Sequence, residues 1–461
     1  MEVDTIVSLS TPPGIGAVAL VRLSGPGSTM VLRQLLAHGA SAPLVRVPTL
    51  CELVDLTTGE TLDCALVTYF KGPASYTGED LIEISTHGGF LIPALVVEAS
   101  VQAGARPAEP GEFTKRAYLH GKLDLVQAEA IADLIGARSR AFHRVALGQL
   151  ERGLSTRVSE LRGRMVHIEA LLAHHVDFPE EDDAPVPIER VVGESRELVA
   201  AMDALLATAP EGELLREGAL AVFAGRPNGG KSSLYNALIG EERAIVTDEP
   251  GTTRDALESV VQMGGFPFRL VDTAGLREPS GTIEKLGIEV AHRYIDRADI
   301  LLFCLAHGDE LSAEETSFLT GSVRCPLVVV HTKADLRTAP PEGMVAKGHI
   351  EGEYAAHQVD VSAVDGTGLE ELRECMAHLV YSEVVSAGVD APVVTRARQA
   401  RALRRAREEV EAFRVGLVEG LPAEVAATHL RTAETSLEEL LGIVSVDDVL
   451  DVVFREFCVG K

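Results

Sequence analysis

The run Gly225-Arg226-Pro227-Asn228-Gly229-Gly230-Lys231-Ser232 spells G-x-x-x-x-G-K-[ST], between an apolar stretch Leu220–Ala224 and a helical stretch beginning at Ser233. In that strand–loop–helix setting the glycines let backbone N–H groups wrap phosphates. Lys231 reaches the β- and γ-phosphates, and the Ser232 hydroxyl can ligate Mg²⁺. Further elements follow in order. Phe268–Val271 reads as a strand ending in Asp272-Thr273-Ala274-Gly275, where an aspartate can approach Mg²⁺ through water and a glycine N–H can meet the γ-phosphate. Gly251-Thr252-Thr253-Arg254-Asp255, lying between, offers a threonine for the metal and a segment able to sense the γ-phosphate. Pro326–Val330 precedes His331-Thr332-Lys333-Ala334-Asp335, and Asp335 can accept two hydrogen bonds from guanine N1 and N2, which adenine does not offer. Val359–Val361 leads into Ser362-Ala363, a loop suited to guanine O6. The expected ligands are GTP and Mg²⁺, the metal held by Ser232 and Thr253.

This set resembles the translation-factor-like class of GTPases, with two departures. The base-reading motif is usually N-K-x-D, and Thr332 stands where the asparagine would be. Ras-like enzymes orient the attacking water with a glutamine directly after D-x-x-G. Here that residue is Leu276, which cannot polarise water. Turnover is then slow or draws its catalytic groups from elsewhere. Arg254, Arg277, Glu278 and Glu284 are nearby candidates, although each also reads as an exposed switch charge.

The elements that position these residues belong to a long chain. Its 461 residues predict two to four domains, and 46% apolar with 24% charged residues suits a folded soluble protein. Residues 1–120 mix short β-rich runs, Gly16–Leu23 and Cys64–Phe70 among them, with one helical run near Phe90–Ala103, as in an α+β domain. Helical spacing begins near Leu123, with Leu150, Leu154, Val158 and Leu161 recurring at three and four residues. The acidic stretch Asp177–Pro187 reads as a solvated loop. From Gly218 to about Leu379 strands and helices alternate, and from about Thr395 the chain is helical again. The expected fold is multidomain α/β and α+β, with an N-terminal α+β domain (1–120) and a discontinuous helical domain (121–216 and 383–461). A Ras-like P-loop G domain (217–382) is inserted into the latter.

Composition also excludes. The net charge of −27 argues against a broad nucleic-acid grip, which phosphate neutralisation would drive, so any RNA contact must use a local basic patch or a partner. Arg396, Arg398, Arg401, Arg404, Arg405 and Arg407 gather in one C-terminal helix, either as such a patch or as a solvated face paired with Glu408, Glu409 and Glu411. No stretch approaches the roughly 20 apolar residues of a membrane span. The acidic start, Met1-Glu2-Val3-Asp4, lacks the basic head of a secretory signal, so a cytoplasmic protein is expected. The six cysteines contain no C-x-x-C pair and read as reduced, five of them as small buried hydrophobes.

From end to end the chain resembles the MnmE (TrmE) family of tRNA-modification GTPases. The likeness runs through Asp4–Val7, Thr11-Pro12-Pro13-Gly14, Val21-Arg22-Leu23-Ser24-Gly25 and Tyr76-Thr77-Gly78-Glu79-Asp80. It continues through His87-Gly88-Gly89, Pro110–Thr114, Lys122-Leu123-Asp124-Leu125, the G motifs and the terminal Cys458-Val459-Gly460-Lys461. The resemblance implies a K⁺ site at Asn228, Thr247, Glu249 and Thr252, with the cation standing where an arginine finger would act. It implies that Glu284 orients the attacking water. It further implies a folate-binding N-terminal domain that forms homodimers. There Arg22, Glu83 and Lys122, joined by Lys461, contact a 5-formyl- or methylene-tetrahydrofolate, with Cys458 as a candidate catalytic group beside it. The implied reaction adds a (carboxymethyl)aminomethyl group at C5 of the wobble uridine (position 34) of certain tRNAs. The implied partner is an FAD- and NADH-dependent protein of the MnmG (GidA) type, in a heterotetramer. A GTP-dependent ribosome-assembly or scaffold switch is the alternative, and a folate-dependent transferase acting alone is a third reading.

Overall fold

The computed structural model describes residues 4–39, 42–177, 187–240, 258–272, 293–321, 323–336, 346–349, 355–382, 392–444, 450, 453–455, 457 and 460. The chain divides into two compact units, Met1–Ala132 with Glu438–Lys461, and Asp133–Leu437.

The first unit is built on six strands: β1 (Ile6–Leu9), β2 (Val18–Ser24), β3 (Thr49–Val54), β4 (Thr61–Phe70), β5 (Leu81–His87) and β6 (Arg106–Pro107). Their order is β3-β4-β5-β2-β1-β6, antiparallel except for the parallel β1–β6 edge. Alternation sets the faces. On β4, Asp63, Ala65 and Val67 turn inward while Cys64 and Leu66 turn out. Val7, Val21, Leu23, Ile82 and Ile84 pack against Val31, Leu32 and Leu35 of α1 (Ser28–Leu35) and Val96 and Ala99 of α2 (Leu91–Gln102). Gly25, where β2 turns toward α1, has φ +131°, and a Cβ there would lie 2.4 Å from the Asp4 carbonyl oxygen. Ile6 packs elsewhere, with Ala108, Tyr76 and Phe113 of α3 (Glu112–Leu119). A third cluster joins Leu125 and Ala128 of α4 (Leu125–Gly136) to Leu450, Val453, Phe454 and Phe457. Near the chain end, Ser10 Oγ donates to the Gly460 carbonyl at 3.0 Å.

The molecule departs from expectation in two places. The first 120 residues hold three helices rather than one, because α1 and α3 are two-turn elements of eight residues whose buried positions are too few to declare a period. Cys64 is exposed on the outward side of β4, while Cys51, Cys304 and Cys375 are buried and Cys325 is half-buried.

The second unit carries a seven-stranded sheet. Its strands are β7 (Ala219–Gly225), β8 (Glu258–Met263), β9 (Phe266–Asp272), β10 (Ile300–Ala306), β11 (Leu327–Thr332), β12 (Ala346–His349) and β13 (Ala355–Asp360). The order is β12-β13-β11-β10-β7-β9-β8, parallel from β13 to β9 with antiparallel β12 and β8 at the edges. β7 and β10 are buried to their last residues, as continuous apolar strands covered on both faces must be. Leu220, Val222, Leu301 and Phe303 serve one core, and Ala221, Phe223, Leu302 and Cys304 serve the other. The second core also takes in Ala141, Phe142 and Val145 of α5 (Arg140–Leu150) and Leu215 of α8 (Ala209–Glu217). Between these two helices run α6 (Gly153–Asp177) and α7 (Ile188–Leu206), and α7 packs on helix Ala397–Val418.

Tyr381 sits at that junction, fully buried. Its ring stacks on Phe266 at 4.7 Å and meets Phe268 edge-on at 5.6 Å. Its hydroxyl accepts from Ala219 N at 3.2 Å and faces the carbonyls of Pro267 at 2.7 Å and Leu214 at 3.1 Å. Close by, the β8–β9 turn is held by α5. Ala141 N donates to the Gly265 carbonyl at 3.1 Å, and Arg140 N donates to Gln262 Oε1 at 3.1 Å.

Candidate nucleotide site

β7 delivers the phosphate loop, and α9 (Lys231–Gly240) leaves it. Gly225 has φ +128°, and a Cβ there would lie 2.3 Å from the Cys304 carbonyl oxygen of β10, so only glycine lets the loop pass that close. The site leans on β10 from below, where burial pushes the Cys304 thiol up to about 12 and keeps it an inert packing group. Lys231 is buried, and its ammonium donates to the carbonyls of Gly225 at 2.8 Å and Arg226 at 2.6 Å. That folds the charge over the loop at the start of a helix, where an anion is favoured.

Ser232 Oγ donates to Asp272 Oδ2 at 2.7 Å. The serine of the phosphate loop and the last residue of β9 therefore meet, as a shared cation would require. Both are oxygen donors, the type Mg²⁺ selects. Among the described residues no group of three or more His, Cys, Asp or Glu gathers that could hold a metal by itself.

The base-reading loops are clipped to each other and to the phosphate loop. Ala334 N donates to the Val361 carbonyl at 3.1 Å, and Ser362 Oγ donates to Asp335 Oδ1 at 3.0 Å. Ser362 is wholly buried while Asp335 is exposed. A carboxylate has about four lone-pair sites, so the serine fixes Asp335 without exhausting it. Ala363 follows, half-buried, in the same loop. Thr332 is buried and donates to the Gly229 carbonyl at 2.8 Å. Its methyl and hydroxyl crowd Gly230, where φ is +85° and a Cβ would come within 2.6 Å of Thr332 Oγ1. Lys333, at φ +60°, donates to the Asn228 carbonyl at 3.0 Å, and Asn228 itself has φ +60° and is exposed. The threonine in the asparagine's place is thus spent on the phosphate loop.

Sequence reasoning missed one clamp. Arg226, inside the phosphate loop, donates to both carboxylate oxygens of Glu315 at 2.8 and 2.6 Å and to the Glu310 carbonyl at 2.9 Å. Glu315 also accepts from Ser312 N while the Ser312 hydroxyl accepts from Glu315 N, a capping box at the start of helix Ala313–Gly321. The guanidinium and the serine contacts together hold the Glu315 carboxyl down to about 2. The signal was present as Ser312-x-x-Glu315.

In the first unit Arg22 and Glu83 meet at 2.6 Å as register neighbours on β2 and β5. The Arg22 guanidinium lies over the rings of Tyr76 and Phe113 at 5.6 and 5.7 Å. Lys122 instead donates to the Pro73 carbonyl at 2.9 Å. A separate apolar pocket of about 320 Å³ is lined by Leu9, Pro13, Phe90, Pro93, Val97 and Pro107 among others, and Arg22, Glu83 and Lys122 do not line it. Thr247, Glu249, Thr252, Thr253, Arg254, Thr273, Ala274, Gly275, Leu276, Arg277, Glu278, Glu284, Cys458 and Lys461 lie outside the described residues. Ser233 is described, exposed on the first turn of α9. Of the C-terminal arginines, Arg401, Arg404 and Arg405 are exposed, and two others are engaged within the fold. Arg396 is buried against Asp133 at 2.7 Å, and Arg407 pairs with Asp203 at 2.8 Å.

The family model for the N-terminus of the GTP-binding protein TrmE matches residues 5–122, and that for the MnmE helical domain matches residues 125–458. A tRNA modification GTPase MnmE of Moorella thermoacetica is 40% identical over 463 residues, covering 99% of each chain. Those of Listeria welshimeri and Laribacter hongkongensis are 38% and 39% identical, covering all of both chains and 99% of both chains respectively.

Proposed function

The chain belongs to the MnmE (TrmE) family of tRNA modification GTPases, and from that premise we propose that it is a potassium-dependent GTP hydrolase serving C5 modification of the wobble uridine of tRNA. The observation that carries the hydrolytic half is the 2.7 Å contact between Ser232 Oγ and Asp272 Oδ2 at the mouth of the phosphate loop. Ser232, with Thr253, would hold Mg²⁺, which supplies positive charge that bridges and neutralises the phosphates. Lys231 binds the β- and γ-phosphates. Asp335, set by Ser362, reads guanine, while Thr332 and Lys333 stiffen the loop it must face. Asn228, with Thr247, Glu249 and Thr252, would hold K⁺, a fixed charge that replaces the missing arginine or glutamine. Glu284 orients the attacking water.

The N-terminal domain (1–120) takes tetrahydrofolate and forms the homodimer, the G domain (217–382) turns over GTP, and the helical segments (121–216, 383–461) carry it. Arg22 and Glu83 give a cation and an anion in one place, suited to a glutamate tail and a pterin N–H edge. Their mutual ion pair means a folate must share or displace it. Cys458 and Lys461 complete this site, and the flavin-dependent partner supplies the redox chemistry. No helix among the described residues is long and apolar enough to cross a membrane, and a cytoplasmic setting fits a tRNA substrate.

The test is GTP turnover in potassium against sodium at equal ionic strength, with Asn228→Ala alongside. Strong stimulation by potassium that the variant loses is expected. Equal slow rates in both salts would remove the cation mechanism and favour the scaffold-switch reading.

A further inference from the structure

We propose that the solvent face of α5 (Arg140–Leu150) is the surface on which this protein holds the phosphodiester backbone of its RNA. The proposal rests on the tRNA reading above and names a docking site for that partner. α5 is strictly two-sided. Ala141, Phe142, Val145, Ala146 and Gln149 are buried, while Arg140, His143, Arg144, Leu147 and Gly148 are exposed, a division at three- and four-residue spacing. Arg138 precedes the N-cap Ser139, and Arg152 follows the C-cap Glu151, so the exposed row runs past both ends of the helix.

The stretch that carries this face is basic within an acidic chain. Residues 138–164 contain seven arginines (138, 140, 144, 152, 157, 162 and 164) and two acidic residues (Glu151 and Glu160) in a protein of net charge −27. The arginines of the following helix are already committed. Arg157 pairs with Glu160 at 2.9 Å, Arg162 with Glu434 at 2.6 Å and Arg164 with Glu197 at 3.4 Å. Among the described residues, Arg138, Arg140, Arg144 and Arg152 have no ion-pair partner. A guanidinium with no carboxylate to leave can take a phosphate with both prongs of its fork at less cost.

The platform is also rigid. The inward side of α5 is part of the sheet core, its N-cap bond from Phe142 N to Ser139 Oγ is 3.1 Å, and its first turn is tied to Gly265 and Gln262. Arg140 and Arg144 stand one turn apart, about 6 Å along the axis, so they can follow one strand. Among the described residues of this face no Phe, Tyr or Trp is exposed and His143 is its one exposed ring, so its contacts position an RNA chiefly through phosphate rather than by reading its sequence. That division suits a protein whose specificity lies elsewhere. An acidic protein surface is the competing occupant, and phosphate is favoured because a dense, regular anion matches a row of unpaired arginines.

The experiment measures binding of labelled tRNA to the full chain by fluorescence anisotropy across a series of KCl concentrations. The triple variant Arg140→Ala, Arg144→Ala, Arg152→Ala should lower the slope of log K against log salt by about 2–3, one phosphate per arginine. Affinity at moderate salt should fall at least about tenfold, while GTP turnover stays that of the wild type and reports an intact fold. The matching triple lysine variant should keep most of the slope, since each ammonium still neutralises a phosphate. An unchanged slope and affinity in the alanine variant would overturn the proposal. So would loss of the flavoprotein partner with RNA binding intact, which would make α5 a protein interface. Failure of the wild type to bind tRNA at any salt would instead sink the reading beneath it.

Discussion

Thr332 shows how a side chain can keep a motif's place and change its work. Its hydroxyl is buried against the Gly229 carbonyl, and removing one partner of such a bond leaves the other unsatisfied. Thr332→Val should therefore weaken GTP binding by about two- to tenfold, from a bond worth about 0.5–1.5 kcal/mol, read by titrating a fluorescent guanine nucleotide. An unchanged affinity would mean the tether is idle. The Arg226–Glu315 clamp has its own signature. Because the Glu315 carboxyl is held at about 2 against an ordinary 4.5, its contribution is complete above pH 4.5 and is lost as pH falls from there toward 2. The pair is partly exposed and screened by solvent, so its worth is the small one of a surface pair. Glu315→Gln should flatten that part of the acid-unfolding curve.

At the scale of elements, Tyr381 and the β8–β9 turn hold helices to sheet. Tyr381→Phe keeps the ring stack and removes a hydroxyl that faces three buried backbone groups. A loss of about 1–3 kcal/mol is expected, seen as a lower urea midpoint with an unchanged slope. The strands expected at Leu220–Ala224, Phe268–Val271 and Pro326–Val330 were legible, because each is an apolar run closed by glycine or polar residues. The sequence left the two-turn helices unseen, since eight residues such as Ser28–Leu35 show a single repeat of their buried face. It also left Tyr381 unseen, because a tyrosine that serves backbone groups from distant segments has no local pattern. Arg22 and Glu83 became a pair only when β2 and β5 came into register. The arginines of the C-terminal helix divide on folding, since sequence does not tell a buried Arg396 from an exposed Arg404.

For the whole molecule, acid sensitivity has a second source. Arg116 is buried and donates to Asp4, Glu79 and Glu112, while Arg106 donates to Asp4 and Glu112. Burial pulls the Asp4 and Glu112 carboxyls up, but the two guanidiniums, and for Glu112 the Glu109 N–H, outweigh it and hold both below their usual range. These groups stabilise the fold above the ordinary carboxylate range, and that stability drains as pH falls through their lowered values. Circular dichroism from pH 5 to pH 2 should show the first unit losing structure. Arg116→Met should leave buried carboxylates uncompensated and move that loss to higher pH.

The hairpin of β8 and β9 touches both ends of the second unit's business. Its turn is pinned to the first turn of α5, and its last residue, Asp272, is bonded to Ser232 on the first turn of α9. Paired strands do not stretch, and slipping their register by one residue would turn every side chain to the wrong face. Phe266, Phe268 and Leu270 are locked into the core on that face. β9 is also paired with β7, so the hairpin is a fixed strut about 20 Å long that sets the distance from the first turn of α5 to Ser232.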